Sequence, residues 1–110
     1  MDTTQVLKGL LDTAVLASLQ NHPTYGYDLV RHLRSQGFAE IADASVYGTL
    51  RRLFDAGHVS AEIVESEVGP ARKYYSLTDS GDDELTNSVK TWTDILETME
   101  RILTTGDSNE

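Results

Sequence analysis

Between residues 59 and 81 the spacing of apolar residues in this 110-residue chain leaves its helical repeat for an alternation, then returns to it. Val59, Ala61 and Ile63, then Tyr74 and Leu77, stand among polar neighbours near period two, the pattern of two half-buried strands. Val68-Gly69-Pro70 supplies the turn, and Arg72 and Lys73 lie on the return strand. Helices must therefore flank a small basic hairpin.

Upstream, Val6, Leu7, Leu10, Leu11, Ala14, Val15 and Leu19 recur at helical spacing, which predicts a helix over 4–20 closed by His22-Pro23. Gly26 and Tyr27 lead into Leu29, Val30 and Leu33, a second helix of about three turns that stops at Gly37. Tyr25-Gly26-Tyr27 reads as tight packing at a helix start. Asp43 or Ser45 is placed to cap a third helix, whose buried stripe is Val46, Leu50, Leu53 and Gly57. Gly48, Arg51, Arg52 and Asp55 fall on its opposite face with Tyr47 beside them. Arginine pairs with phosphate or guanine and a glycine removes bulk, so this face suits a nucleic-acid groove. Adjacent arginines alone are also at home on a solvated face.

Three helices followed by a hairpin is the winged helix-turn-helix order, in which the third helix enters the major groove and the hairpin rests on the neighbouring backbone. Arg72 and Lys73 would then meet phosphate. The charge opposes this at first sight, since 9 basic against 18 acidic residues give −9. Its distribution reduces the conflict: residues 79–110 hold nine of the acids and only two of the bases. Arg31, Arg34, Arg51, Arg52, Arg72 and Lys73 all precede that segment, and their grouping on one face is what could overcome the overall repulsion.

Other classes are disfavoured. The chain has no cysteine, which removes disulfides, thiolate zinc sites and cysteine nucleophiles. His22, His32 and His58 are scattered, and no nucleophile, acid pair or phosphate loop accompanies them, so no catalytic residue, metal or cofactor is expected. No apolar run approaches the roughly 20 residues that span a bilayer, and the N-terminal residues are unlike an export signal, so a cytoplasmic protein with no membrane partner is expected.

Thr78 is placed to cap the last helix, with Asp79, Asp82, Asp83 and Glu84 near the positive end of its dipole. Beyond them Leu85, Val89, Trp92, Leu96, Met99 and Leu103 follow at spacings of four and three, a heptad seam that Ile95 and Ile102 widen. From Asp79 to Leu103 such a helix is on the order of 37 Å long, so part of it overhangs a core of this size and exposes its apolar stripe. A homodimer is the expected cover, with the first helix packing against the partner's last helix. Trp92, midway along the seam, reads as a dimer-core residue or as a stacking platform for a flat aromatic ligand between subunits.

These motifs resemble the PadR family of bacterial transcriptional regulators, in particular its short members with a single C-terminal dimerisation helix. Gly26-Tyr27-Asp28-Leu29 is similar to the family's start of helix two, and Ser45-Val46-Tyr47 with Leu50 and Arg52-Leu53 is similar to its recognition-helix pattern. Residues 69–78, Gly-Pro-Ala-Arg-Lys-Tyr-Tyr-Ser-Leu-Thr, followed by Gly81, resemble its wing signature position for position. The resemblance implies a mostly α fold: a winged helix-turn-helix DNA-binding domain over 1–77, with three helices and a two-stranded β wing, whose helix 4–20 also serves dimerisation. A C-terminal dimerisation helix over 78–104 and a disordered tail over 105–110 complete it. It implies a sequence-specific regulator, a repressor bound as a homodimer to a pseudo-palindromic double-stranded operator. Ser45, Tyr47, Arg51, Arg52, Arg72 and Lys73 would meet DNA, with Gly48 among them where the family commonly has proline. Leu85, Val89, Trp92, Ile95, Leu96, Met99, Ile102 and Leu103 would form the dimer seam. Trp92 stands where multidrug-sensing members place a drug-stacking tryptophan, which makes it the candidate site for a planar aromatic effector. The rival reading is a winged-helix protein-interaction module without DNA binding, which the −9 charge favours.

Overall fold

The computed structural model describes residues 3–108. The chain runs α1 (Thr3–Ser18), β1 (Thr24–Tyr25), α2 (Gly26–Gln36), α3 (Asp43–Asp55), β2 (Val59–Val64), β3 (Arg72–Leu77) and α4 (Asp79–Ser108). These elements form a winged helix-turn-helix with a long last helix.

The apolar stripes of α1, α2 and α3 converge on one core that takes in Leu11, Val15, Leu29, Leu33, Val46 and Leu50. Each stripe repeats at three- and four-residue steps, so a single helix face carries it inward. At Gly37 the backbone turns to φ 137° and its N–H closes on the last carbonyls of α2. Gly57, expected in the buried stripe of α3, is instead exposed beyond the helix end with φ 83°. It is part of the turn into β2 and no longer follows the helical repeat.

The start of α3 also departs from expectation. Ala42 is the N-cap residue and makes no side-chain cap, so neither Asp43 nor Ser45 caps the helix. The Asp43 carboxylate is engaged by Arg34, whose Nη2 donates to it at 2.7 Å while Nε and Nη2 also bond the Ile41 carbonyl at 3.1 and 2.8 Å. A charge-assisted guanidinium bond is stronger than a bond to a neutral amide, which is why the carboxylate turns away from the helix end. Arg34 thereby clamps the turn between α2 and α3.

Three strands form the sheet, in the order β1-β3-β2 and antiparallel throughout, where the sequence predicts two. The extra strand is only two residues long, with Tyr25 opposite Tyr74. Val59, Ala61 and Ile63 face Leu77, Tyr75 and Lys73 across the hairpin. Alternation then puts Tyr75, not Tyr74, on the inner face, where it is 9% exposed. Ile63, expected to be half-buried, is 69% exposed because the hairpin has by then run past the helices. Gly69, at φ 94°, sits in the expected turn, which the Ser66 hydroxyl braces by bonding both polar groups of the Val68 backbone.

Thr78 joins the wing to α4. Its hydroxyl accepts the N–H of Gly81 at 3.0 Å and donates to the Gly57 carbonyl at 2.7 Å. A side chain on Gly81 would collide with the His58 carbonyl, so the first turn of α4 can lie this close only with glycine there. The helix spans 30 residues, about 45 Å. It runs to Ser108, past the end expected at 104, while residues 109 and 110 lie outside the described residues. The molecule measures 66 × 29 × 21 Å, the long axis reflecting this overhang. Among the described residues no helix is long and apolar enough to cross a membrane.

Candidate nucleic-acid interface

The buried face of α3 fixes which residues its other face presents. With Val46, Thr49, Leu50 and Leu53 turned inward, Ser45, Tyr47, Gly48, Arg51 and Arg52 are exposed. Thr49, which sequence reasoning missed, satisfies its buried hydroxyl on the Ser45 carbonyl at 2.8 Å and receives Arg52 Nη2 at 3.2 Å. A β-carbon placed on Gly48 would meet nothing within 4 Å. Glycine inside a helix costs roughly 0.5 to 1 kcal/mol relative to alanine, and no contact within the chain requires it here.

The two arginines of this face differ. Arg51 is 85% exposed in its side chain and only loosely paired with Asp55 at 4.0 Å. Arg52 instead reaches back to α1, where its Nη1 donates to both oxygens of Asp12 at 3.0 and 3.1 Å. Asp12 gives no local signal in sequence, since its partner lies 40 residues away. Tyr47, beside them, has its phenol raised above the ordinary 10.0, by partial burial first and then by the Asp43 carboxylate and Tyr75.

The wing stands next to α3, and an open groove of about 410 Å³ runs between them, lined by Tyr47, Arg51, Phe54, Asp55, Lys73 and Tyr75. Lys73 Nζ lies 5.9 Å from the Phe54 ring centre and 5.8 Å from that of Tyr75. Arg72 belongs to the other face of the strand, where its guanidinium carbon sits 4.6 Å over the Tyr25 ring. The two basic residues are therefore adjacent in sequence but opposed in direction. Acidic residues accompany this basic pair, with Glu62 exposed opposite Tyr74 and Glu65 and Glu67 exposed further out toward the turn.

Along α4, Leu85 is 4% exposed and belongs to its own chain's core, so the exposed part of the seam begins at Val89. Trp92 is half-buried against α1: its indole N–H donates to the Thr13 hydroxyl at 3.2 Å and its ring edge approaches Gly9. Ile95, Leu96, Met99, Ile102 and Leu103 stand exposed beyond it. His58 meets the Ser80 hydroxyl at 2.7 Å, whereas His22 and His32 are exposed. Among the described residues no group of three or more His, Asp or Glu could hold a metal ion.

A sequence model of the transcriptional regulator PadR-like family matches residues 15–87. Solved structures place the chain among regulators as well. It is similar to a Streptococcus transcriptional regulator, 34% identical over 89% of this chain and 96% of that one, with a TM-score of 0.80. Similarity to a PadR-like transcriptional regulator of Bacillus cereus covers 90% and 96% of the two chains at 31% identity and a TM-score of 0.81. Bacillus subtilis PadR, in complex with operator DNA, is 27% identical over 73% of this chain and 46% of its own, with a TM-score of 0.66.

Proposed function

This chain belongs to the transcriptional regulator PadR-like family, and from that premise we propose that it binds a pseudo-palindromic operator as a homodimer and represses transcription in the cytoplasm. The observation that carries the proposal is Gly48: the exposed face of α3 carries a glycine its own fold does not need, between Tyr47 and Arg51, which line the groove together with Lys73. Close approach of an outside surface gives that glycine a purpose. In this reading α3 enters the major groove with Ser45, Tyr47, Gly48 and Arg51 toward the bases and flanking phosphates. Arg52 faces the same groove while tied to Asp12, and Arg72 and Lys73 contact backbone on either side of the wing. The Bacillus subtilis relative's complex with operator DNA supports the assignment.

The apolar stripe on α4 supports the dimer. Leu96 is 64% exposed and has Ile95, Met99, Ile102 and Leu103 for neighbours, a surface that a second α4 would remove from water. Two recognition helices would then address half-sites roughly 34 to 36 Å apart. A flat aromatic effector lodged against Trp92 would relieve repression by altering that spacing. If such compounds at saturating dose leave both Trp92 fluorescence and operator affinity unchanged, the effector is discarded.

The decisive experiment selects fragments of the source genome with purified protein. Recovery of a common motif with two-fold symmetry is expected, with affinity falling steeply as salt rises and a shallower slope after Arg72→Ala. An unselected pool overturns the proposal. It would instead support a protein-interaction module, the reading favoured by Glu62, Glu65 and Glu67 on the wing, which repel phosphate.

A further inference from the structure

Two arginines flank a tyrosine stack that runs from the outer face of the sheet onto the start of α2. The Tyr25 ring stacks on Tyr27 with centres 6.3 Å apart and planes 25° apart, and tilts against Tyr74 at 5.6 Å. Arg72 lies over Tyr25 at 4.6 Å, and Arg31 over Tyr27 at 5.7 Å. The short strand β1 creates this arrangement. Pairing of Tyr25 with Tyr74 sends both side chains to the same face as Arg72, two residues before Tyr74. Tyr27, in the first turn of α2, is left 54% exposed to complete the stack.

Arg72 differs from the arginines that hold the fold together. Arg34 and Arg52 are bound to carboxylates. Among the described residues the Arg72 guanidinium has neither an ion pair nor a hydrogen bond, although Glu62 is its diagonal neighbour on the same sheet face. A carboxylate would fix the guanidinium but neutralise it. An aromatic face fixes it and leaves both its charge and its edge N–H donors available. Ordering a long side chain opposes binding, and a side chain already ordered in the free protein avoids that loss.

We infer that Tyr25 is a positioning residue for DNA binding, holding Arg72 in the orientation that receives a backbone phosphate. The inference rests on the DNA-binding reading above. Cation–π contacts at exposed sites correspond to a roughly two- to five-fold effect on affinity.

The test uses a duplex from the selected pool and the full-length chain with Tyr25→Phe, Tyr25→Met, Arg72→Ala and the Tyr25→Met/Arg72→Ala pair. Tyr25→Met is expected to weaken binding about two- to five-fold, the pair to bind no more weakly than Arg72→Ala alone, and Tyr25→Phe to bind as the parent does. In the free protein the Arg72 δ-protons should be shifted upfield by the Tyr25 ring current, in the parent and Tyr25→Phe but not in Tyr25→Met. Multiplying losses in the pair, parental affinity in Tyr25→Met, or weakened binding in Tyr25→Phe each overturns the inference. So does an unshifted Arg72 in the parent, a result that stands even if Tyr25→Met does not fold. A parent chain that retains no DNA overturns the DNA-binding reading and this role together, whereas DNA binding with an unshifted Arg72 removes this role alone.

Discussion

The ring of Tyr47, on α3, occupies the space in which a side chain on Gly26, the first residue of α2, would begin. The contact locks the two helices of the helix-turn-helix to each other through a residue of the exposed recognition face. Tyr47 is thus partly a spacer, and only part of its ring is free for a groove.

Gly26→Ala should therefore destabilise the chain by about 1 to 3 kcal/mol, the usual cost of forcing extra bulk into a packed site. In a Tyr47→Ala background the same change should be neutral or stabilising, because alanine is the better helix former once the ring is gone. Urea unfolding of the four chains measures both values, and a loss that persists without the tyrosine would place the strain elsewhere.

Tyr47 also predicts an alkaline response. Its phenol is raised in the folded chain, chiefly by burial, so the native state holds the proton more tightly than the unfolded chain does. The associated stability is complete below the unfolded value of about 10 and is lost as pH rises from there through the folded value. The urea midpoint should fall less between neutral and strongly alkaline pH in Tyr47→Phe than in the parent. Parallel curves would contradict the shift.

Asp12 and Arg52 form an exposed pair, so their coupling in a double-mutant cycle should be only about 0.2 to 1 kcal/mol and weaken in salt. Its effect on DNA should be more visible. Asp12→Asn leaves Arg52 uncompensated and is expected to tighten binding and steepen its salt dependence, whereas Arg52→Ala should weaken binding less than Arg51→Ala. Titrations of one duplex at several salt concentrations decide this, and identical slopes for the parent and Asp12→Asn would refute it.

Leu85 and Leu96 belong to one seam yet should respond differently. Leu85→Ala should cost about 2 to 5 kcal/mol of stability because its side chain is in the core. Leu96→Asp with Ile102→Asp should leave the helical signal intact and convert a sedimenting dimer to a monomer. A monomeric parent chain would remove the dimer from the proposal.

Much of this was readable from spacing. The stripes of α1 to α3, the hairpin and the heptads of α4 are local periodicities, and each matches the helix or strand observed. The match to Gly69–Thr78 pointed to the right family. Phase was harder: Tyr74 and Tyr75 are both aromatic, and only pairing with Ala61 shows which turns inward. β1 is too short to have a period at all. The partners of Arg34, Arg52 and Arg72 depend on tertiary approach, so identical residue types could not reveal that two are held by carboxylates and one by a ring.

Asp12 and Thr13 are consecutive on α1, and one holds Arg52 of the recognition helix while the other holds Trp92 of the last helix. Suppressor screens that begin from a weakened recognition helix or from a Trp92 variant should therefore converge on the same turn of α1. Small changes there can retune both helices without altering a residue on either.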